Sequence, residues 1–352
     1  MAVRLKDIAQ DLGVSTMTVS KVLRGNADIG EATRARVLAR MRELNYQPNL
    51  MARALASGQS LTIGLVVPDL VHPFFAEFAK SLGGVLRESG YALVLASSEE
   101  DPEIERSEIR TLVNRGMDAI LVASCQPYTS NRPFEELGNV PLLLIDRRFK
   151  ALETDFIGSD DFTVGRIATE HLIQLGRKQI AHIGGKGSSP SVDRLRGYRK
   201  ALAAAKMPIP KDLVVSYERF EETGDEAGYQ AMKELLTRET RPDAVFCYND
   251  LSAIGAMQAA MDAGLRIPED IAFVGCGNLR YANYLKVPLT SIDHSTDHMG
   301  VLAGQMALDL ARRVAKKPRT VLLEPKLVVR QSSVLAIASR AAQGKQVARR
   351  RT

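Results

Sequence analysis

The stretch Leu5–Gly25, "LKDIAQDLGVSTMTVSKVLRG", decides how the N-terminal part of the chain folds. Ile8, Ala9 and Leu12 recur at helical spacing and form one apolar stripe, and Val19, Val22 and Leu23 form a second. Gly13 breaks the pattern between them, and Val14 is placed to fill the space beneath the turn. Ser15 suits an N-cap, because its hydroxyl can accept an amide left unpaired at the start of the second helix. Two short helices around a Gly-containing turn match the helix-turn-helix plan. A third run, "EATRARVLARMRELNY" (Glu31–Tyr46), puts Val37, Leu38, Met41 and Leu44 on one face and its arginines on the other.

Charge is concentrated in the same region. Residues 1–60 carry nine Lys/Arg against five Asp/Glu, and the segment from Arg340 to Thr352 carries five Lys/Arg and no acid. With a net charge of +6 for the whole chain, the body between them is slightly acidic. A basic head on an acidic body suits a head that meets a polyanion. In a helix-turn-helix the second helix enters the major groove with its N-terminal side chains at base edges. Those are Thr16 and Met17, followed one turn later by Lys21, which can reach guanine acceptors. Ser15, Thr18 and Ser20 suit phosphate contacts or capping. The basic tail, residues 339–352, has no apolar periodicity and is expected to be disordered.

Composition bounds the remainder. The 352 residues are 45% apolar and 25% charged, a soluble balance long enough for two or three domains. No apolar run approaches a membrane span, and "MAVRLKDIAQD" has no signal-peptide h-region. Cys125, Cys247 and Cys276 are far apart, which suits buried thiols in a reducing compartment. A cytoplasmic location is expected.

The body reads as α/β. "LTIGLVVPD", "YALVLASSEE", "MDAILVAS" and "VPLLLID" are strand patterns separated by helical ones. The pattern restarts with "KQIAHIGG", "LVVSYERF", "DAVFCYND" and "IAFVGCGN". Two such runs in series imply two lobes of parallel sheet flanked by helices. "TVLLEPKLVVRQSS" is expected to add late strands. Ligands of such sheets bind at the carboxyl ends of the strands. That rule points to Asp69, His72, Phe74 and Phe75 after the first strand, and to Ser124, Asp146 and Arg147 after later strands of the same lobe. In the second lobe it points to Asn249, Asp250 and the loop "GCGN", with Gly277 and Asn278.

Together, "LKDIAQDLGVSTMTVSKVLRG", "TRARVLARMRELNYQPNLMARALASG", "TIGLVVPDLVHPFFAE" and "VPLTSID" resemble the LacI/GalR family of transcription regulators over about residues 3–335. The resemblance implies a homodimer that binds a pseudo-palindromic operator in double-stranded DNA, most often as a repressor. It implies a helix-turn-helix domain at 1–46 and a hinge at 47–60. It further implies a core shaped like periplasmic sugar-binding proteins, with one lobe from 61–160 and 291–325 and the other from 161–290 and 326–338. The hinge of this family folds on the operator, where Leu55 matches its wedge and Asn49 and Arg53 could hold phosphates or minor-groove edges. An apolar wedge offsets lost base stacking by allowing more contact with bent DNA.

The resemblance also implies a small effector in the core cleft, a sugar, sugar acid or sugar phosphate, with Arg194 clamping its polar groups and Asn249 in contact. Asp160 and Asp161 resemble the family's crossover pair, in a structural or a ligand role. Gly277 stands where the family often has an Asp that accepts ligand hydroxyls. With Arg147 and Arg194 nearby, that departure favours an anionic effector over a neutral sugar.

Other classes fit less well. Neither "IGGKGSS" nor "GCGN" has dinucleotide or Walker spacing, no nucleophile–base arrangement is indicated, and "DHSTDH" lacks a third metal ligand. No enzyme activity, cofactor or metal is expected. A solute-binding protein would not need the DNA-binding head, and a regulator controlled by a protein corepressor remains the closest alternative.

Overall fold

The computed structural model describes residues 3–23, 28–46, 59–130, 134–209, 211–217, 224–314 and 317–334. They fall into two compact units divided between Ser60 and Leu61. The hinge residues Asn49, Arg53 and Leu55 and the tail 339–352 lie outside the described residues.

Among its described residues the first unit holds three helices: α1 (Leu5–Leu12), α2 (Thr16–Leu23) and α3 (Glu31–Glu43). The stripes read from sequence meet in one core of Ile8, Ala9, Val19, Val22, Val37 and Met41, with Val14 packed against it. Gly13 ends α1 at φ 64°, a left-handed conformation that favours glycine, and the amide of Val14 donates to Ala9 O at 3.0 Å. The Arg40 guanidinium donates to Asp11 Oδ2 at 2.7 Å and so ties α3 to α1.

The second unit holds two six-stranded sheets. The first contains β1 (Thr62–Val67), β2 (Ala92–Ser97), β3 (Ala119–Val122), β4 (Leu142–Ile145), β5 (Asp155–Ser159) and β11 (Thr320–Leu323). Its order is β11-β5-β4-β3-β1-β2 and every pairing is parallel. The second contains β6 (Ile180–Gly185), β7 (Val214–Tyr217), β8 (Ala244–Cys247), β9 (Ala272–Cys276), β10 (Thr290–Asp293) and β12 (Lys326–Val328). Its order is β12-β10-β9-β8-β6-β7, parallel except for β12 against β10.

Both sheets are covered on two faces. Ile63, Leu65 and Val67 of β1 enter one core while Val66 enters another. Val245 and Cys247 of β8 likewise separate from Ala244 and Phe246. A strand with two buried faces needs apolar residues at every position, which explains why "LTIGLVV" shows no alternation.

The helices are α4 (Pro73–Glu88) and α5 (Pro102–Asn114) in the first lobe and α6 (Asp161–Gln174), α7 (Ser189–Ala204), α8 (Gly224–Leu236) and α9 (Asp250–Asp262) in the second. A further helix, α10 (Thr296–Ala311), follows β10 and packs on the first lobe through Met299, Ala303 and Ala307.

One difference from the sequence reading stands out. Strand β5, "DFIGS", was not recognised, because Asp155, Gly158 and Ser159 hide a segment that is buried throughout. Strand β10 belongs to the second sheet, where Ser291 and Ile292 pair with Gly275 and Cys276, and the chain passes to the first lobe after it.

Helices α6 and α7 touch backbone to backbone. A Cβ on Gly165 would lie 2.0 Å from Arg194 O, and one on Gly197 would lie 2.1 Å from Phe162 O. Gly84 in α4 faces open space. Gly197→Ala should lower stability by about 1–3 kcal/mol or more. Gly84→Ala should leave it unchanged or raise it by about 0.4–1 kcal/mol. Thermal unfolding of the two variants side by side checks the contrast.

Candidate functional site

In the helical unit, α2 starts at a cap. Ser15 Oγ accepts from the amide of Thr18 at 3.0 Å and lies 2.9 Å from Thr18 Oγ1, so both hydroxyls serve the helix end. Thr16 and Met17 sit exposed on the first turn, with Met17 61% exposed. Lys21 is half-buried and ion-paired with Asp28, and Ser20 is half-buried. The helix therefore presents Thr16 and Met17 outward, while the Lys21 ammonium must leave an internal partner to reach a base.

In the second unit, strand ends from both lobes converge on a cavity with about 390 Å³ of empty space, mouth included. The first lobe contributes His72, Phe74, Phe75 and Asp146. His72 caps α4, accepting from the amide of Phe74 at 3.3 Å, and Phe74 and Phe75 meet edge to face at 5.0 Å. The second lobe contributes Arg194, Asn249, Asp250 and Gly277 from among the residues singled out by sequence. It adds four that the sequence did not name as cleft residues: Tyr248, Cys276, Leu279 and His294. Tyr248 and Cys276 adjoin recognised positions. His294 lies in "DHSTDH", a segment weighed only for metal binding.

Arg194 is buried. Its Nε donates to Asp161 Oδ1 at 2.8 Å, its Nη1 donates to Tyr248 O at 2.6 Å, and its guanidinium lies 4.6 Å over the Tyr248 ring. Burial pushes the Asp161 carboxyl above the ordinary range, and the charge of Arg194 opposes that shift. The crossover residue Asp160 caps α6, accepting from the amide of Thr163 at 3.1 Å.

Asp250 is fully buried, and its carboxylate accepts from the Leu279 amide at 2.8 Å and from the Ser291 hydroxyl at 2.6 Å. It thus braces the loop after β9. That loop has its own backbone demand: Gly277 sits at φ 125°, where any side chain is strained. The absence of an Asp at this position is tied to the turn, and the nearby carboxylate of Asp250 supplies negative charge there instead.

Four predicted cleft residues do not line the cavity. Asp69 accepts from the Val71 amide at 2.8 Å in a tight turn. Ser124 donates to buried Glu105 at 2.7 Å. Arg147 donates to Ser124 O at 3.1 Å and lies 3.7 Å from Glu100. Asn278 accepts from Arg330 at 2.7 Å. Strand ends alternate in direction, so position after a strand does not tell which side chain turns inward.

Polar contacts bridge the lobes. Asn249 Nδ2, whose residue caps α9, lies 3.3 Å from His72 Nε2. Arg148 pairs with Asp193 at 2.8 Å, its amide donates to Ser189 Oγ at 2.9 Å, and the Tyr128 amide donates to Gly187 O at 2.8 Å. Among the described residues no cluster of three or more His, Cys, Asp or Glu could hold a metal, and no helix is long and apolar enough to cross a membrane.

Residues 4–49 match the family described as bacterial regulatory proteins, lacI family, and residues 169–333 match a periplasmic binding protein-like domain. The HTH-type transcriptional repressor PurR of Histophilus somni (strain 129Pt) is 34% identical over 334 residues, covering 93% of this chain and 98% of that protein. Its counterpart in Yersinia pestis (strain Pestoides F) is 34% identical over 332 residues, covering 93% and 96%. Among solved structures, the lac repressor dimer bound to operator and the anti-inducer ONPF superposes with a TM-score of 0.83 at 27% identity, covering 95% of this chain and all of that one. The transcriptional regulator CelR–cellobiose complex superposes at 0.72 with 30% identity, covering 94% and 100%.

Burial raises the Asp250 carboxyl to about 6, against the opposing hydrogen bonds from Ser291 and Leu279. The folded protein therefore holds a proton that the unfolded chain releases near pH ~4. The stability this confers is present below that pH and is lost as pH rises through about 6. Asp250→Asn, uncharged throughout, removes the dependence. Its melting temperature relative to wild type should rise between about pH 4 and pH 7, by the equivalent of on the order of 2 kcal/mol. Melting curves across that range check it.

Proposed function

The chain belongs to the lacI family of bacterial regulatory proteins, and we propose that it is a repressor that binds a pseudo-palindromic operator as a homodimer and is controlled by a small effector in its core cleft. The exposed edge of α2 carries the DNA-binding half of this reading. Thr16 and Met17 stand on a capped helix with their side chains outward, which is where a recognition helix meets base edges. Lys21 joins them by exchanging Asp28 for a guanine or a phosphate, and Ser15, Thr18 and Ser20 hold the helix end or the backbone. Asn49, Arg53 and Leu55 act in the hinge, with Leu55 as the minor-groove wedge. A cytoplasmic location follows from this role.

The effector is neutral and hydroxyl-bearing, a change from the anionic ligand favoured by the sequence. Arg147 lies outside the cavity, Arg194 is matched by Asp161, and Asp146 and Asp250 both line the wall. A carboxylate or phosphate entering there meets carboxylates and no unmatched cation among the lining residues. Phe74, Phe75 and Tyr248 suit the apolar face of a sugar.

Thermal unfolding of the full chain against neutral sugars, sugar acids, sugar phosphates and purines tests this reading. A neutral sugar at ~100 times its dissociation constant should add about 2.7 kcal/mol. A shift with acids or phosphates alone would discard the charge argument. No shift with any of them would favour a protein corepressor. For DNA, Lys21→Ala should relax preference at particular base pairs by about 1–3 kcal/mol, whereas a uniform loss across sequences would assign Lys21 to phosphate. Binding titrations on an operator and its single-base variants separate the two.

A further inference from the structure

We propose that Cys276 and His294 work as one unit in the cleft: the thiol donates to His294 Nε2, and the ring thereby presents Nδ1–H as a fixed, uncharged donor to the ligand. The proposal rests on the cleft being the effector site.

The pair is built by sheet register. Cys276 ends β9 beside Ile292 of β10, and His294 follows two residues later. Cys276 Sγ and His294 Nε2 lie 3.0 Å apart, and both residues line the cavity. His294 is 4% exposed, and the Phe74 ring meets it edge-on at 6.1 Å. Its Nδ1 is buried and has no hydrogen-bond partner among the described residues.

Two arrangements of the protons are possible, and they differ in what they leave unpaired. If Nε2–H donates to sulfur, the thiol proton loses its acceptor and Nδ1 becomes a bare, unpaired acceptor. If the thiol donates to Nε2, one group alone is left over, the Nδ1–H. A buried polar group without a partner costs free energy, so the second arrangement is favoured. Both partners are held uncharged: burial and the Arg194 charge depress the imidazole to about 3, and burial raises the thiol. The leftover donor then needs an acceptor from the ligand, and a hydroxyl, ring or carbonyl oxygen supplies one. This makes His294 a specificity residue and Cys276 the positioning residue that sets its tautomer.

The test uses full-length protein with 15N-labelled histidine, the His294 resonances being identified by their loss in His294→Phe. The expected result between about pH 5 and 8 is a protonated Nδ1 and a bare, pyridine-type Nε2. Cys276→Ser, which keeps a donor, should preserve that pattern, and Cys276→Ala should lose it. A protonated Nε2 with bare Nδ1, a cationic ring, or an unchanged pattern in Cys276→Ala would each overturn the proposal. For any neutral sugar that raises the wild-type melting temperature, His294→Phe should weaken binding about tenfold or more, and unchanged binding would remove His294 from the ligand site. If no sugar raises it, the effector reading fails, while the ring measurement still decides the pair.

Discussion

The contact between Gly165 and Gly197 is the constraint on which the cleft depends. Only glycine lets the backbones of α6 and α7 come this close, and the closeness puts Asp161, in the first turn of α6, against Arg194 on α7. A buried ion pair seldom adds stability over well-packed apolar side chains, because both charges lose their water. What it does here is positional. One edge of the guanidinium is held by Asp161, another nitrogen by Tyr248 O, and one face by the Tyr248 ring. The cavity therefore meets a cation whose orientation is already decided and whose charge is already balanced.

That balance governs what the cleft can accept. Asp250 spends its carboxylate on the Leu279 amide and the Ser291 hydroxyl, and the ring of His294 is kept neutral. Recognition of the proposed effector would then fall to directional hydrogen bonds and to the aromatic wall, with little contribution from net attraction. Hydrogen bonds of this kind discriminate strongly against ligands that lack the matching group, since an unmatched buried donor is left behind.

Much of the fold was legible before the structure. Apolar runs without alternation announced buried parallel strands, and Gly13 with Ser15 announced the turn and the cap. The failures share a cause. Strand β5 carries Asp155, Gly158 and Ser159, which look like loop residues until Asp155 is seen buried at the start of an interior strand. Asp69, Ser124 and Arg147 sit after strands as expected, yet a neighbour claims each of them: an amide, Glu105 and Glu100. The pairing of Cys276 with His294 went unnoticed because they lie 18 residues apart, and sheet register alone brings them together. Rules keyed to position along the chain find the rim of such a cleft. They do not find pairs made across strands.

Closure of the lobes follows from the same accounting. Arg148 pairs with Asp193 across the gap, but its side chain remains 41% exposed. Its partner Asp193 is only 7% exposed, so salt screens the pair less than one on the open surface. Two backbone amides, of Arg148 and Tyr128, add bridges that water can replace. The buried contact of Asn249 Nδ2 with His72 Nε2 at 3.3 Å adds a bridge that water does not reach. Under the proposed effector control, a ligand touching both Phe75 of the first lobe and Arg194 of the second would favour the arrangement that brings them together, and each ~1.4 kcal/mol of differential affinity shifts the populations tenfold.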